Sequence, residues 1–244
     1  MLEIKNLKVK IKGKSEDKVE SSFILENINL SMEAGKVYVL DGRNGSGKSS
    51  LLSAIMGHPN YEIVEGEIIV TNNDESFSIK NNNVESSAAA GIYMTMQNVP
   101  EIEGVTLIQL LHKAVNKKQK RSNSSLEEQK SEMNILDLNK KLIKYCEDFD
   151  IDKSFISRDL NYKMSGGEKK QAELLHILAL APAYILVDEI DSGVDRESIE
   201  KIYKVLKYIQ KENNSSLLIV SHHTKVGDYL EVEKTYTLEN KTIV

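Results

Sequence analysis

The stretch Gly42-Arg43-Asn44-Gly45-Ser46-Gly47-Lys48-Ser49-Ser50 sets three glycines, a lysine and adjacent hydroxyls in the spacing G-x-x-x-x-G-K-[ST]. Such a loop is chemistry for a polyphosphate. The glycines let backbone N–H groups turn inward around α- and β-phosphates, Lys48 reaches the β- and γ-phosphates, and the Ser49 hydroxyl is a hard ligand suited to Mg²⁺. A second group, Asp188-Glu189, follows the apolar run 183–187 and suits a division of labour. One carboxylate holds Mg²⁺ through water and the other polarises an attacking water. A third group, Ser165-Gly166-Gly167-Glu168, opens an apolar helical stretch, which predicts a helix N-terminus with free N–H groups and a second anion site. Gln97 and His222 each close an apolar run, and from the end of 217–220 the histidine has the γ-phosphate within reach. Together these residues predict binding of a nucleoside triphosphate.

The elements needed to position them are legible as patterns. Val37-Tyr38-Val39-Leu40 reads as a strand entering the loop, and Leu51, Leu52, Ala54, Ile55 and Met56 recur at helical spacing after it. The runs 1–9 and 24–30 alternate as antiparallel strands, with a polar loop over 12–22. Gly57-His58-Pro59-Asn60 stops the first helix, leaving His58 a capping or packing role, and Gly66 begins the next strand. Five asparagines and no helical period mark 71–87 as a mobile surface loop. Apolar residues turn helical over about 105–158, and 183–187 and 217–220 read as buried parallel strands. Ligands of such open α/β sheets bind outside the carboxyl ends of the strands, where Asp188 and His222 fall.

Composition narrows the function class. At 244 residues and 40% hydrophobic, the chain is large enough for a substantial core, and no apolar run approaches the length of a membrane span. A net charge of −5 argues against broad nucleic-acid binding. The single cysteine, Cys146, rules out an internal disulfide framework and suits a reducing cytoplasm, with a half-buried structural thiol expected.

In this order the motifs resemble those of the ABC-type ATPases over nearly the whole chain. In that family's terms Gly42–Ser49 is similar to Walker A, Gln97 to the Q-loop, Ser165–Glu168 to the signature motif, and Asp188-Glu189 to Walker B. Residues 192–195 are similar to the D-loop and His222 to the switch histidine. The resemblance implies an α/β P-loop NTPase core with a mainly parallel sheet, an N-terminal antiparallel β subdomain and a helical lobe inserted at about 98–163, all within one domain, 1–244. It also implies ATP as substrate with Mg²⁺ held by Ser49, Gln97 and Asp188. Lys48, Glu189 and His222 are then catalytic, and residues 42–50, Gln97 and 165–168 contact nucleotide. The partner it implies is a second ATPase subunit, head to tail, closing its signature motif over the ATP.

Within the family, residues 57–62, 100–105, Ser165-Gly166-Gly167-Glu168-Lys169-Lys170 and 188–193 are similar to the SufC branch, the soluble ATPases of iron–sulfur cluster assembly. SufB- and SufD-like soluble scaffolds are the partners this implies, and a cytoplasmic location with no direct membrane insertion. Gln171 departs from the branch, which usually has arginine, as do Met164 and Val194, where leucine is commoner. Ile11 stands where many relatives stack an aromatic on adenine, so base recognition is expected to be apolar and loose. Two alternatives stay open: the ATPase subunit of a membrane transporter, and an ATP-gated interaction module without productive hydrolysis.

Overall fold

The computed structural model describes residues 1–12, 23–72, 75–79, 83–96, 100–122, 132–190, 193–221 and 226–244. In chain order they form β1 (Leu2–Ile11), β2 (Phe23–Met32), β3 (Val37–Asp41), α1 (Lys48–Met56), β4 (Tyr61–Asn72), β5 (Glu75–Ser78), α2 (Val84–Ala89) and β6 (Ile92–Met94). There follow β7 (Ile102–Thr106), α3 (Leu107–Ser122), α4 (Ile135–Phe149), β8 (Asp159–Leu160), α5 (Gly166–Leu180), β9 (Tyr184–Asp188), α6 (Arg196–Glu212), β10 (Ser216–Val220), β11 (Lys234–Glu239) and β12 (Thr242–Ile243). The chain divides into two compact units: Met1–Thr95 with Pro182–Glu189 and Gln210–Val244, and Met96–Ala181 with Ile190–Ile209.

The first unit holds two sheets. One is antiparallel in the order β2-β1-β4-β5; Leu2 and Ile4 of β1 are buried in it, and Leu7 and Val9 after a register slip at Asn6, whose φ is 49°, resets the phase of the alternation. The other runs β12-β11-β3-β10-β9-β6, with every pair parallel except the β11–β12 edge. β9 and β10 are buried throughout, which explains their unbroken apolar sequences. Leu51, Leu52, Ala54 and Ile55 of α1 share one core with Leu2 and Ile4 of the first sheet and Leu186 and Leu218 of the second. Each such leucine contributes about 1.5–3 kcal/mol by leaving water. The expected α/β class, mainly parallel sheet and N-terminal antiparallel sheet are all present.

Two local expectations need correction. β4 starts at Tyr61, five residues before Gly66, which lies within it at a slip of the β1–β4 register. There φ is 84°, and a Cβ would sit 2.4 Å from Lys5 O and Asn6 O, so this glycine marks a bulge inside a strand rather than its start. The stretch 71–87, read as a loop, instead contains the end of β4, all of β5 and the first turn of α2. Its asparagines misled because one of them is a cap: Asn83 Oδ1 accepts the Ser86 N–H at 2.8 Å, and Ser86 Oγ takes the Asn83 N–H in return.

The second unit is mainly helical. α3, α4 and α5 pack together through Leu111, Leu142, Leu174 and Leu178, and Tyr145 and Phe149 of α4 meet Tyr208 of α6 edge to face. Cys146 is buried within α4, and burial pushes its thiol up to about 11, so it stays protonated as a packing group. His176, on α5, is also desolvated, and its pKa falls to about 4.

The sign of that shift makes a prediction. A histidine whose folded pKa lies below its unfolded value of about 6.5 contributes stability above pH 6.5, which is lost as pH falls toward 4 because the unfolded chain takes up the proton first. With that shift we expect the loss to be about 2 kcal/mol between pH 7 and 4.5. Urea denaturation of His176→Gln should show a shallower acid loss than wild type by that amount. Parallel pH profiles for the two proteins would refute the assignment.

Candidate functional site

The phosphate loop is built where β3 leaves the parallel sheet and α1 begins. Gly42, Gly45 and Gly47 adopt φ of 146°, 79° and 110°, backbone that side chains disfavour. At Gly42 space forbids one as well, because a Cβ would lie 2.5 Å from Leu238 O of β11. Gly47 is the N-cap of α1 and has no side chain to satisfy the helix's first N–H groups, nor is there an acidic residue in the first turn. An anion is the natural partner for those groups. Lys48 is buried, 5% exposed, and its Nζ donates to Gly42 O at 2.7 Å and Arg43 O at 3.1 Å, which curls the loop over the ammonium. Ser46 Oγ is buried with no hydrogen-bond partner among the described residues, the kind of orphan that a phosphate oxygen would satisfy. Arg43, Asn44 and Gly45 also line an open cleft of about 460 Å³ with Leu238–Lys241.

Strand β9 delivers Asp188 to the same place. Ser49 Oγ donates to Asp188 Oδ1 at 3.1 Å, and the carboxylate is 3% exposed. A hydroxyl and a carboxylate at this separation are hard oxygen donors of the kind that would hold Mg²⁺. No cluster of three His, Cys, Asp or Glu side chains able to hold a metal by itself occurs among the described residues. Glu189 follows at φ 49°, its N–H bound to Val220 O of β10 at 3.0 Å. That left-handed residue turns the chain out of the sheet directly after Asp188.

Ser165–Glu168 lies in the second unit. Ser165 is the N-cap of α5: its Oγ accepts the Glu168 N–H at 3.3 Å, and Glu168 Oε2 accepts the Ser165 N–H at 2.7 Å. Arg158 pairs with the other Glu168 oxygen at 3.1 Å. The Ser165 N–H, the Ser165 hydroxyl and the Arg158 guanidinium hold the Glu168 carboxyl below the usual range. Ser165 and Glu168 therefore satisfy two N–H groups that the sequence reading left free, and their side chains serve their own helix end. Gly166 and Gly167 have open space where a Cβ would be, so the turn accepts close approach from outside. Gln97, Ser192 and His222 lie outside the described residues. His58 packs edge-on against Tyr61 and accepts the Asn60 N–H on Nδ1, away from any chemistry.

Residues missed in the sequence support these groups from behind. Thr95 Oγ1 accepts the Asp188 N–H, and Glu173, buried on α5, accepts the Met96 N–H at 2.8 Å. Only a polar residue inside an otherwise apolar helix pattern, at Glu173, signalled either of them.

The chain is similar to known proteins over its whole length. The family model described as ABC transporter matches residues 25–192. Vegetative protein 296 of Bacillus subtilis is 32% identical over 243 residues, covering 100% of this chain and 85% of that protein. A probable ATP-dependent transporter of Synechocystis sp. is 33% identical over 244 residues, covering 100% and 88%. Among solved structures, the dimeric structure of a bacterial ABC transporter cassette overlays with a TM-score of 0.78 at 21% identity, covering 100% of this chain and 96% of that one. The chain belongs to the ABC transporter ATPase family. It is an ATP-binding cassette that hydrolyses ATP, and no helix among its described residues is long and apolar enough to cross a membrane.

The reciprocal cap on α5 has a measurable cost of removal. Ser165→Ala should destabilise the protein by about 1 kcal/mol, and Ser165→Asn, which restores a capping oxygen, should recover most of it. Chemical denaturation reads both, and an unchanged midpoint in Ser165→Ala would show that the cap is not formed.

Proposed function

We propose that this ATPase drives conformational change in a soluble iron–sulfur cluster assembly scaffold of the SufB and SufD type, working in the cytoplasm. The observation that carries this reading is the surface following Gln97. Ile102 of β7 is 40% exposed and Val105 is half-buried, whereas Leu107, at the start of α3, is core at 1%. Residues 100–104, around the exposed Ile102, are tied to the signature helix and the turn before it. Glu101 accepts Lys169 Nζ at 2.7 Å and the Lys163 N–H at 3.4 Å, Asn161 Nδ2 donates to Pro100 O, and the Gly104 N–H is held by Asp159. A partner seated on Ile102 would thus pull on the segment that ends in Ser165–Gly167.

In the proposed cycle Lys48 and the N–H groups of α1 hold the triphosphate, and Ser49 and Asp188 hold Mg²⁺, which supplies charge neutralisation of the phosphates when bound. Glu189 orients the attacking water, with Gln97 and His222 completing the site around metal and γ-phosphate. Ser165–Gly167 of a second copy, head to tail, covers the exposed side and excludes water, which strengthens the charge contacts. The dimeric structure of one similar cassette supports this pairing. Closure on ATP and opening after hydrolysis convert nucleotide state into motion. Relatives named as a probable ATP-dependent transporter and a probable ABC transporter ATP-binding protein favour a second reading, the ATPase subunit of a membrane transporter.

Glu189→Gln keeps size and hydrogen bonding but removes the charge on the water, so ATP binding should persist while turnover falls at least about 100-fold. Near-normal turnover would remove Glu189 from the role. For the partner, we expect purified soluble scaffold to raise a weak basal ATPase rate, and Ile102→Asp with Val105→Asp to abolish that rise with nucleotide affinity unchanged. Iron and sulfide should be found in the native complex. Stimulation by a membrane protein in detergent, with none from a scaffold, would establish the transporter reading instead.

A further inference from the structure

Asp188 is held by more than its own strand. It is the last residue of β9, paired on one side with Val220 of β10. On the other side β6 is short: its register with β9 runs Ile92↔Tyr184, Tyr93↔Ile185 and Met94↔Leu186, and stops. In a regular parallel ladder a residue gives its N–H to one residue of the neighbouring strand and its C=O to another two places on. Thr95 makes the first bond with its backbone, N–H to Leu186 O at 2.9 Å. It makes the second with its side chain, Oγ1 accepting the Asp188 N–H at 3.0 Å. The hydroxyl stands in for a backbone carbonyl, and the chain is thereby free to leave the sheet at Met96.

Both ends of this bond are buried, with Thr95 1% and Asp188 3% exposed, so water is poorly placed to replace the acceptor. We infer that Thr95 is a positioning residue for the metal-binding end of the site: its hydroxyl fixes the peptide plane of Asp188 and hence the carboxylate whose Oδ1 lies 3.1 Å from Ser49 Oγ. The inference rests on the reading of Ser49 and Asp188 as the residues that hold Mg²⁺. An apolar residue of the same shape would fill the space and orphan the N–H. The penalty would fall on the orientation of Asp188 rather than on the phosphate loop, where Lys48 Nζ is held by Gly42 O and Arg43 O.

The test uses Mn²⁺ as a spectroscopic probe in place of Mg²⁺, titrated by electron paramagnetic resonance into the full chain saturated with ADP. Thr95→Val should weaken Mn²⁺ about five- to tenfold, the expected result of orphaning one buried donor beside a ligand. Thr95→Ser should bind within about twofold of wild type, and metal-free ADP affinity should be the same in all three. If the Thr95→Val protein does not fold, Thr95→Ala is compared with Thr95→Ser by the same titration. Mn²⁺ affinity unchanged in the hydroxyl-free variant, or equally weak in Thr95→Ser, overturns the proposal. Asp188→Asn separates the two levels: an unchanged affinity there removes Asp188 from the metal site and the role of Thr95 with it. A weakened Asp188→Asn beside a normal hydroxyl-free variant removes Thr95 alone.

Discussion

The hydrogen bond from Ser49 to Asp188 joins the first turn of α1 to the end of β9, residues 139 apart in the chain. Much of the first unit exists to keep those two points together. β9 is locked between β6 and β10, and α1 is held by four apolar side chains in the core between the two sheets. A hydroxyl on a helix and a carboxylate on a strand meet within 3.1 Å only if the helix packs in one register. That register is secured at the far end too. The Gly57 and His58 N–H groups return to Ala54 O and Ser53 O, and a Cβ on Gly57 would collide with the Asn83 backbone at 2.4 Å.

Two helix N-termini in this chain solve the same electrostatic problem in opposite ways. α1 begins at a glycine with no capping side chain and no acidic residue, which leaves its donors and positive end to a ligand. α5 begins at Ser165 and satisfies two of its groups internally with Glu168, an arrangement that places a carboxylate at the positive end and anchors it to Arg158. The first helix is less stable by itself and poised for phosphate. The second is stable by itself, so what it offers a neighbouring molecule is the backbone of Gly166 and Gly167.

Much of this was open to reading before any coordinates. The phosphate loop, the paired carboxylates and the Ser-Gly-Gly-Glu helix start are local statements: a glycine at positive φ, a cap, a carboxylate ending an apolar run. Chemistry and spacing within a few residues decide such features, so Gly42–Ser50, Asp188 and Ser165 were visible at once. The misreadings at Gly66 and over 71–87 arose where a local signal had two meanings. Glycine marks both bulges and strand starts, and asparagine favours both loops and helix caps.

What the sequence determined by itself is therefore the class of chemistry, the α/β alternation and the order of the motifs, because each depends on residue type and short-range periodicity. Tertiary structure alone decided which of these groups meet and what supports them. That Ser49 reaches Asp188, that the Thr95 hydroxyl replaces a missing backbone acceptor, and that Glu173 is buried to hold Met96 depend on pairings 77 to 139 residues apart. No pattern in a single chain encodes such distances. They follow from sheet order and from the need to satisfy every buried donor, which only the packed fold brings into being.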